Sequence, residues 1–319
     1  LALQGAPRTG KRPVLLAARN AHKALLYAAA LLDFDIRWLW PAPEDTGALC
    51  SCPVTVQALS AAFEELAGQG RTPFGVYLTS PDYLGGMQDI AALSAVCDAH
   101  SVPLLVDNAH GAYLRFLPGG SRHPIDLGAA ACCDSGHKTL PVLTGGAYLH
   151  LGPKAPVQEE STVRNALALF GSTSPSYLIL QSLDACNRLL SADYPARLQE
   201  CCDRLAALRA RLNALAAAQG TALPLALDGP AREPMKLTLD AAALARQAEP
   251  RLTVRQAVFA PQETIPAGSA LGRVCALPTV SCPPAIPIVV SGEVIGPAAL
   301  ELFVAYGVET VSVVKSEKF

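Results

Sequence analysis

The chain has 319 residues, 51% of them hydrophobic and 16% charged, with a formal net charge of −2. That supply of apolar side chains suits one large core plus a smaller one and excludes a disordered polypeptide. The near-neutral charge gives no basic footprint for nucleic acid or anionic lipid, and no segment reaches the roughly 18 uninterrupted apolar residues of a membrane span. Residues 14–18 read as a buried strand, followed by helical spacing over 21–32 and a strand at 35–39. Val56, Leu59, Phe63 and Leu66 give residues 55–68 a helical period that stops at a glycine. A strand over 74–78 runs into the turn signal Thr79-Ser80-Pro81, and a helix over 89–100 precedes a strand at 103–106. Strands are expected at 129–133 and 146–150, then long helices over 165–190 and 196–218. The second of these is amphipathic through Leu205, Leu208, Leu212 and Leu215. Residues 221–234, rich in Pro, Gly and Ala, read as a linker. Beyond it come a strand at 235–239, a helix, a Pro-rich stretch, and a final helix and strand within 297–314.

Strands alternating with helices predict an α/β fold with a mainly parallel, doubly wound sheet and a smaller α/β carboxy-terminal domain. The domain boundary is expected between residues 190 and 191, giving 1–190 and 191–319. Ligands of such sheets sit beyond the carboxyl ends of the strands, where Thr79, Asp107 and Lys138 fall. Lys138 lies in Asp134-Ser135-Gly136-His137-Lys138-Thr139-Leu140-Pro141, just after the small-residue run 126–133. Desolvation there would make its amine a nucleophile toward a carbonyl. Asp107 ends the apolar run Leu104-Leu105-Val106, with Gly111 just beyond. A strand-end aspartate with a later strand-end lysine is what a pyridoxal 5′-phosphate (PLP) site requires: the lysine carries the cofactor as an aldimine, and the aspartate keeps the pyridinium nitrogen protonated. Against this stands the plainer reading of Asp107 as a turn residue and Lys138 as a solvated loop lysine.

Four motifs, in order and spacing, resemble the PLP-dependent ornithine/lysine/arginine decarboxylase family, which has the aspartate-aminotransferase type of fold (fold type I). They are Arg19-Asn20-Ala21-His22-Lys23, Thr79-Ser80-Pro81-Asp82-Tyr83-Leu84-Gly85-Gly86, Val106-Asp107-Asn108-Ala109-His110-Gly111-Ala112 and Ser135-Gly136-His137-Lys138-Thr139-Leu140-Pro141. Ser172-Thr173-Ser174-Pro175-Ser176-Tyr177 also fits, and Pro283-Pro284-Ala285-Ile286-Pro287 with Gly292-Glu293-Val294-Ile295 is similar to the family's carboxy-terminal domain. The resemblance implies that His22 stacks on the cofactor ring and that Ala109 touches its other face. It places Ser135 and His137 near the phosphate and His110 close to the cofactor, while Thr79 and Ser80 line the site. Each has a plainer reading as a turn, cap or packing residue. Gly136 stands where the family often has threonine, and Gly145-Gly146 replaces larger polar residues; both changes are expected to empty space near the lysine. The family's phosphate-cradling loop is expected before residue 1, since the chain opens on Leu1 in what reads as the tail of a helix.

The expected activity is α-decarboxylation of lysine, ornithine or arginine, a step of polyamine synthesis. Lys138, Asp107 and His22 are the catalytic residues, and no metal is involved: Cys50-x-Cys52 is too closely spaced for the usual zinc hairpin. The alternatives are another fold-type-I reaction, such as transamination or elimination, and an inactive truncated relative acting as a binding subunit. Ten cysteines without the spacing of a disulfide scaffold read as reduced thiols of a cytoplasmic protein. His100, His123 and His150 have no chemical context. A homodimer is expected, with residues 172–177 reaching the neighbouring subunit's site, and neither nucleic acid nor membrane as partner.

Overall fold

A computed structural model describes residues 1–4, 10–41, 50–219, 229, 231–237, 249–280 and 286–315. The chain divides into two compact units: residues 1–8 with 53–241, and residues 9–52 with 242–319. In chain order, β1 (Val14–Ala18), α1 (Lys23–Leu32) and β2 (Asp35–Leu39) open the second unit. The first unit then runs α2 (Val56–Gly68), β3 (Val76–Thr79), α3 (Ile90–Ala99), β4 (Leu104–Asp107) and β5 (Ala131–Asp134). It continues with α4 (Gly136–Thr139), β6 (Tyr148–Leu151), α5 (Glu160–Ala168), α6 (Tyr177–Leu190) and α7 (Tyr194–Gln219). The second unit resumes with β7 (Glu249–Pro250), α8 (Val254–Phe259), β8 (Gln262–Pro266), β9 (Thr279–Val280), β10 (Pro287–Val289), β11 (Glu293–Val294), α9 (Pro297–Ala305) and β12 (Thr310–Val314).

In the first unit β3, β4 and β5 are parallel neighbours and β6 runs antiparallel beside β5. The mainly parallel α/β architecture expected from the strand–helix alternation is therefore present, with one reversed edge pairing. One face of these strands is fully covered, since Val76, Leu78, Leu104, Val106 and Cys132 are all buried, while the alternate residues Tyr77, Leu105 and Ala131 are half-buried. Two helices of this unit start on a side-chain cap. Thr55 Oγ1 accepts from the Ala58 amide at 3.1 Å, and Asp89 Oδ1 accepts from that of Ala92 at 3.1 Å. The single helix expected over 165–190 is two, α5 and α6. Gly171 and Pro175 lie between them, and proline has no N–H to continue the helical ladder. Of the strand expected at 235–239, residues 235–237 are turn and coil, and 238–239 lie outside the described residues, as do the helix after them and Pro283-Pro284-Ala285. Most of the expected linker, 221–228 and 230, also lies outside them.

The second unit is built around a buried cation. Arg19 is 1% exposed and donates to the carbonyls of Pro287 at 3.1 Å and Ile288 at 3.4 Å, and to Glu293 Oε2 at 3.1 Å. Its guanidinium lies 5.3 Å from the centre of the Trp38 ring and 5.2 Å from that of Trp40. Glu293 Oε2 accepts in addition from the Val290 amide at 2.7 Å. Arg19 thus ties β1 to β10 and β11. Arg19→Met would leave the Glu293 carboxylate buried without its cation, at an expected loss of about 3–5 kcal/mol. Chemical denaturation should show that loss, and the double variant Arg19→Met/Glu293→Met should recover a large part of it.

Candidate active site

The site is assembled at the carboxyl ends of the first unit's strands. Thr79 faces Asp107 in the β3–β4 register, and the ladder continues past both strand ends, Ser80 N–H to Asp107 O at 3.0 Å and Asn108 N–H to Cys133 O at 3.0 Å. The backbone therefore fixes where Asp107 points before any ligand arrives. Its carboxylate accepts from the Tyr77 hydroxyl at 3.0 Å on Oδ2 and from the Ala109 amide at 3.1 Å on Oδ1. Burial, and then the charge of Asp107, push the Tyr77 phenol well above its ordinary range, so Tyr77 stays a donor. Thr79 Oγ1 is buried and has no hydrogen-bond partner.

Lys138 sits in the one-turn helix α4, whose start is Ser135 and whose end is anchored by buried Leu140. Leu140 packs in one cluster with Tyr113, Leu114, Cys186 and Leu198. The lysine itself is exposed, so solvent and the His110 ring surround it rather than the apolar packing expected from the small-residue run. Its Nζ stands 3.4 Å from His110 Nε2. His110 meets the Tyr83 ring edge-on at 5.5 Å. His137 donates from Nδ1 to the Gly146 carbonyl at 3.0 Å, bracing α4 against the approach to β6. His22 belongs to the second unit, where its Nδ1 accepts from the Ala24 amide at 3.2 Å and caps α1. The glycines near the lysine do not leave empty space. A Cβ on Gly136 would lie 3.1 Å from the Tyr148 ring, and one on Gly146 only 2.2 Å from Val142. Neighbouring side chains occupy the room.

Sequence reasoning missed two clusters. The first centres on Asp134, which is 3% exposed. Its Oδ1 accepts from Asn108 Nδ2 at 2.6 Å, and its Oδ2 meets His123 Nε2 at 3.1 Å and His150 Nε2 at 2.9 Å. His123, Asp134 and His150 present atoms within 4.8 Å of one another, a composition that zinc sites use. His123 Nδ1, however, accepts from the Ile125 amide at 3.4 Å. That places the ring proton on Nε2 and makes it a donor to Asp134 rather than an empty ligand position. The second cluster is Glu233, 2% exposed, which accepts from the Tyr113 hydroxyl and from the Met235 amide at 2.8 Å. Burial pushes its carboxyl upward against those hydrogen bonds. The only early signal of the first cluster was Asp134 itself, directly before Ser135; the histidines come from 11 residues before it and 16 after.

Burial would raise the Asp134 carboxyl, but the hydrogen bonds from His123, His150 and Asn108 outweigh it and hold the group well below the usual carboxylate range. A depressed folded-state value means that stability is present above the ordinary aspartate value of about 3.9 and is lost as pH falls below it. The urea midpoint should therefore drop below about pH 4, and Asp134→Asn should flatten part of that drop. The same variant should cost about 2–4 kcal/mol at pH 7, read as a lower urea midpoint, because buried His123 and half-buried His150 lose their charged acceptor.

Known proteins resemble this chain in sequence and in fold. Residues 8–229 match the family Orn/Lys/Arg decarboxylase, major domain. The uncharacterized protein YaaO of Bacillus subtilis is 30% identical over 228 residues, 70% of this chain and 45% of that protein. Arginine decarboxylase of Bacillus cereus is 25% identical over 202 residues, 63% of this chain and 42% of that enzyme. The chain thus spans less than half the length of these relatives. In fold it is similar to the constitutive lysine decarboxylase of Escherichia coli, with a TM-score of 0.73 at 16% identity over 98% of this chain and 68% of that one. The lysine decarboxylase of Francisella novicida gives 0.74 at 13% identity over 96% and 66%. With the family match running through all four strand-end and helix-start motifs, the chain belongs to the Orn/Lys/Arg decarboxylase family.

Proposed function

We propose that the protein is a PLP-dependent decarboxylase that removes the α-carboxylate of a basic amino acid, lysine, ornithine or arginine. The observation that supports this reading is a buried aspartate at the end of β4 and a lysine on the turn after the neighbouring strand β5, with His110 3.4 Å from that lysine. The donor set fits the cofactor. Asp107 is buried with both carboxylate oxygens oriented by Tyr77 and Ala109, as a partner for a ring N–H must be. Thr79 Oγ1, buried and unpartnered at the neighbouring strand end, is a hydroxyl awaiting a ligand. When bound, PLP supplies the electron sink that stabilises the carbanion left by the departing carboxylate. Lys138 would hold it covalently, Asp107 would keep the ring nitrogen protonated, and His110, Ser135, His137 and Ala109 would border it. His22 is proposed as the stacking residue on the strength of the motif resemblance. Gly136 and Gly145-Gly146 give no added room, which favours a substrate pocket shaped by Tyr148, Val142 and Ile179 around the lysine turn.

The proposed assembly is a homodimer. The end of α5's turn and the start of α6 are polar only in part: Leu169 is 74% exposed, Phe170 66%, Tyr177 85% and Leu178 68%. Solvent is a poor surrounding for four such exposed large apolar side chains, and a second copy of the chain would cover them. Among the described residues no helix is long and apolar enough to cross a membrane. A cytoplasmic location and a place in polyamine synthesis belong to the same reading.

Reduction of the PLP-loaded protein with borohydride should fix the pyridoxyl group on Lys138, identified by peptide mass; a label on Lys23 or Lys154 would overturn the assignment. Incubated with lysine, ornithine or arginine, the protein should release carbon dioxide and an amine rather than a keto acid. Asp107→Asn should retain the cofactor and lose at least about a hundredfold in turnover, since each 1.4 kcal/mol of lost carbanion stabilisation is tenfold. Light scattering should give a dimer mass, and Phe170→Glu/Leu178→Glu should reduce it to the monomer's.

A further inference from the structure

The motif from Thr79 to Gly86 does more than end a strand. Its second half is the seat of a segment that arrives from far along the chain. Gly86 pairs with Arg232 in an antiparallel bridge, the Glu233 amide donates to the Gly85 carbonyl at 2.9 Å, and the Met87 amide donates to Ala231 O at 2.8 Å. Gly85 has φ +85, and a Cβ on it would stand 3.2 Å from Glu233 Cγ and 3.3 Å from Lys236 Cβ. A side chain there would push both residues away, so glycine is required by the backbone and by the packing together.

What this seat delivers is Lys236. Its Nζ donates to the Tyr83 carbonyl at 2.6 Å, lies 5.2 Å from the Tyr83 ring centre, and meets His110 Nδ1 at 3.3 Å. The carboxylates of Asp82 and Glu233 both feel its positive charge. A lysine ammonium that donates to a carbonyl and faces an aromatic ring has donors only. Its contact with Nδ1 therefore makes that nitrogen the acceptor of the His110 ring. A neutral imidazole carries a single proton, which is then on Nε2. Nε2 is the nitrogen that faces Lys138 Nζ at 3.4 Å.

We propose that Lys236 is a positioning residue for the reaction: it fixes the His110 ring with its proton on Nε2, so that the imidazole presents an N–H to the amine of Lys138. An N–H donor pairs with the lone pair of an amine and not with an ammonium, which has no acceptor. The chain Lys236, His110, Lys138 thus has one polarity throughout, and it matches the form of Lys138 that attacks a carbonyl. Tyr83 holds both ends of the arrangement, its carbonyl on Lys236 and its ring edge-on to His110. This inference rests on the reading of Lys138 as the reactive amine.

The test uses the chain without cofactor, so it is independent of decarboxylation. Trinitrobenzenesulfonate modifies neutral amines, and the rate at Lys138 can be followed by peptide mass at pH 8. Lys236→Met should slow that rate by about threefold to tenfold, the worth of one ordinary hydrogen bond. Lys236→Arg, which restores a permanently charged donor, should recover most of it. A Lys236→Met protein that keeps the wild-type urea midpoint and labels at the wild-type rate would overturn the proposal. Should that variant fail to fold, the wild-type protein still decides: nitrogen NMR of His110 must show the proton on Nε2, and a proton on Nδ1 overturns the proposal. Borohydride fixation of PLP elsewhere than Lys138 would instead remove the functional reading, leaving the labelling and NMR results as they stand.

Discussion

The hydrogen bond from the Asn108 amide to Asp134, 2.6 Å long and fully buried, is the contact on which the arrangement of the site depends. Asn108 follows Asp107 at the end of β4, and Asp134 precedes Ser135 at the end of β5. One bond therefore sets the spacing between the strand end that carries the aspartate and the turn that carries the lysine. The Asn108 amide to Cys133 carbonyl bond repeats the tie through the backbone. Asp134 can serve as the fixed point because His123 and His150 complete its hydrogen bonding from two further directions.

Around that fixed point the structure separates holding from reacting. Asp107 is buried and braced by Tyr77 and Ala109, as suits a group whose charge must face one direction. Lys138 is exposed, with only its histidine neighbour for direction. A rigid acid and an accessible amine are a consistent pair for the proposed reading, in which a cofactor would be loaded and then exchanged for a substrate amine. The second unit achieves its own rigidity differently, through the buried Arg19–Glu293 pair, whose cost of burial is offset by two carbonyls and two tryptophan faces. The first of the four motifs thus divides its labour within a few residues: Arg19 holds the unit together, Asn20 donates to the Cys50 carbonyl at 2.9 Å, and His22 starts a helix.

Most strands and helices were legible because their signals are local. Alternation, apolar runs and helical spacing place β1, β2, α2 and α3 within a residue or two of their expected limits, and in the structure Thr55 and Asp89 cap the two helices. The merged helix over 165–190 failed for a local reason too: apolar spacing was read across Gly171 and Pro175, which break the backbone ladder whatever the side-chain period. The glycines near Lys138 were read as space, yet Tyr148 and Val142 fill it, and sequence does not say which distant ring will occupy a missing side chain's place.

By itself the sequence determined the α/β class and the positions of Thr79, Asp107 and Lys138 at strand and turn ends, because those follow from period and punctuation along a few residues. It also determined the family, through motifs whose order survives low identity. Tertiary structure alone decided which groups surround them. The contacts of Lys236 with His110 and of Glu233 with Tyr113 join residues 126 and 120 positions apart. The histidines on Asp134 come from a loop and from a reversed edge strand. No period or spacing encodes such meetings. They arise when chain segments close over long loops, and the buried polar atoms they bring together must then satisfy one another.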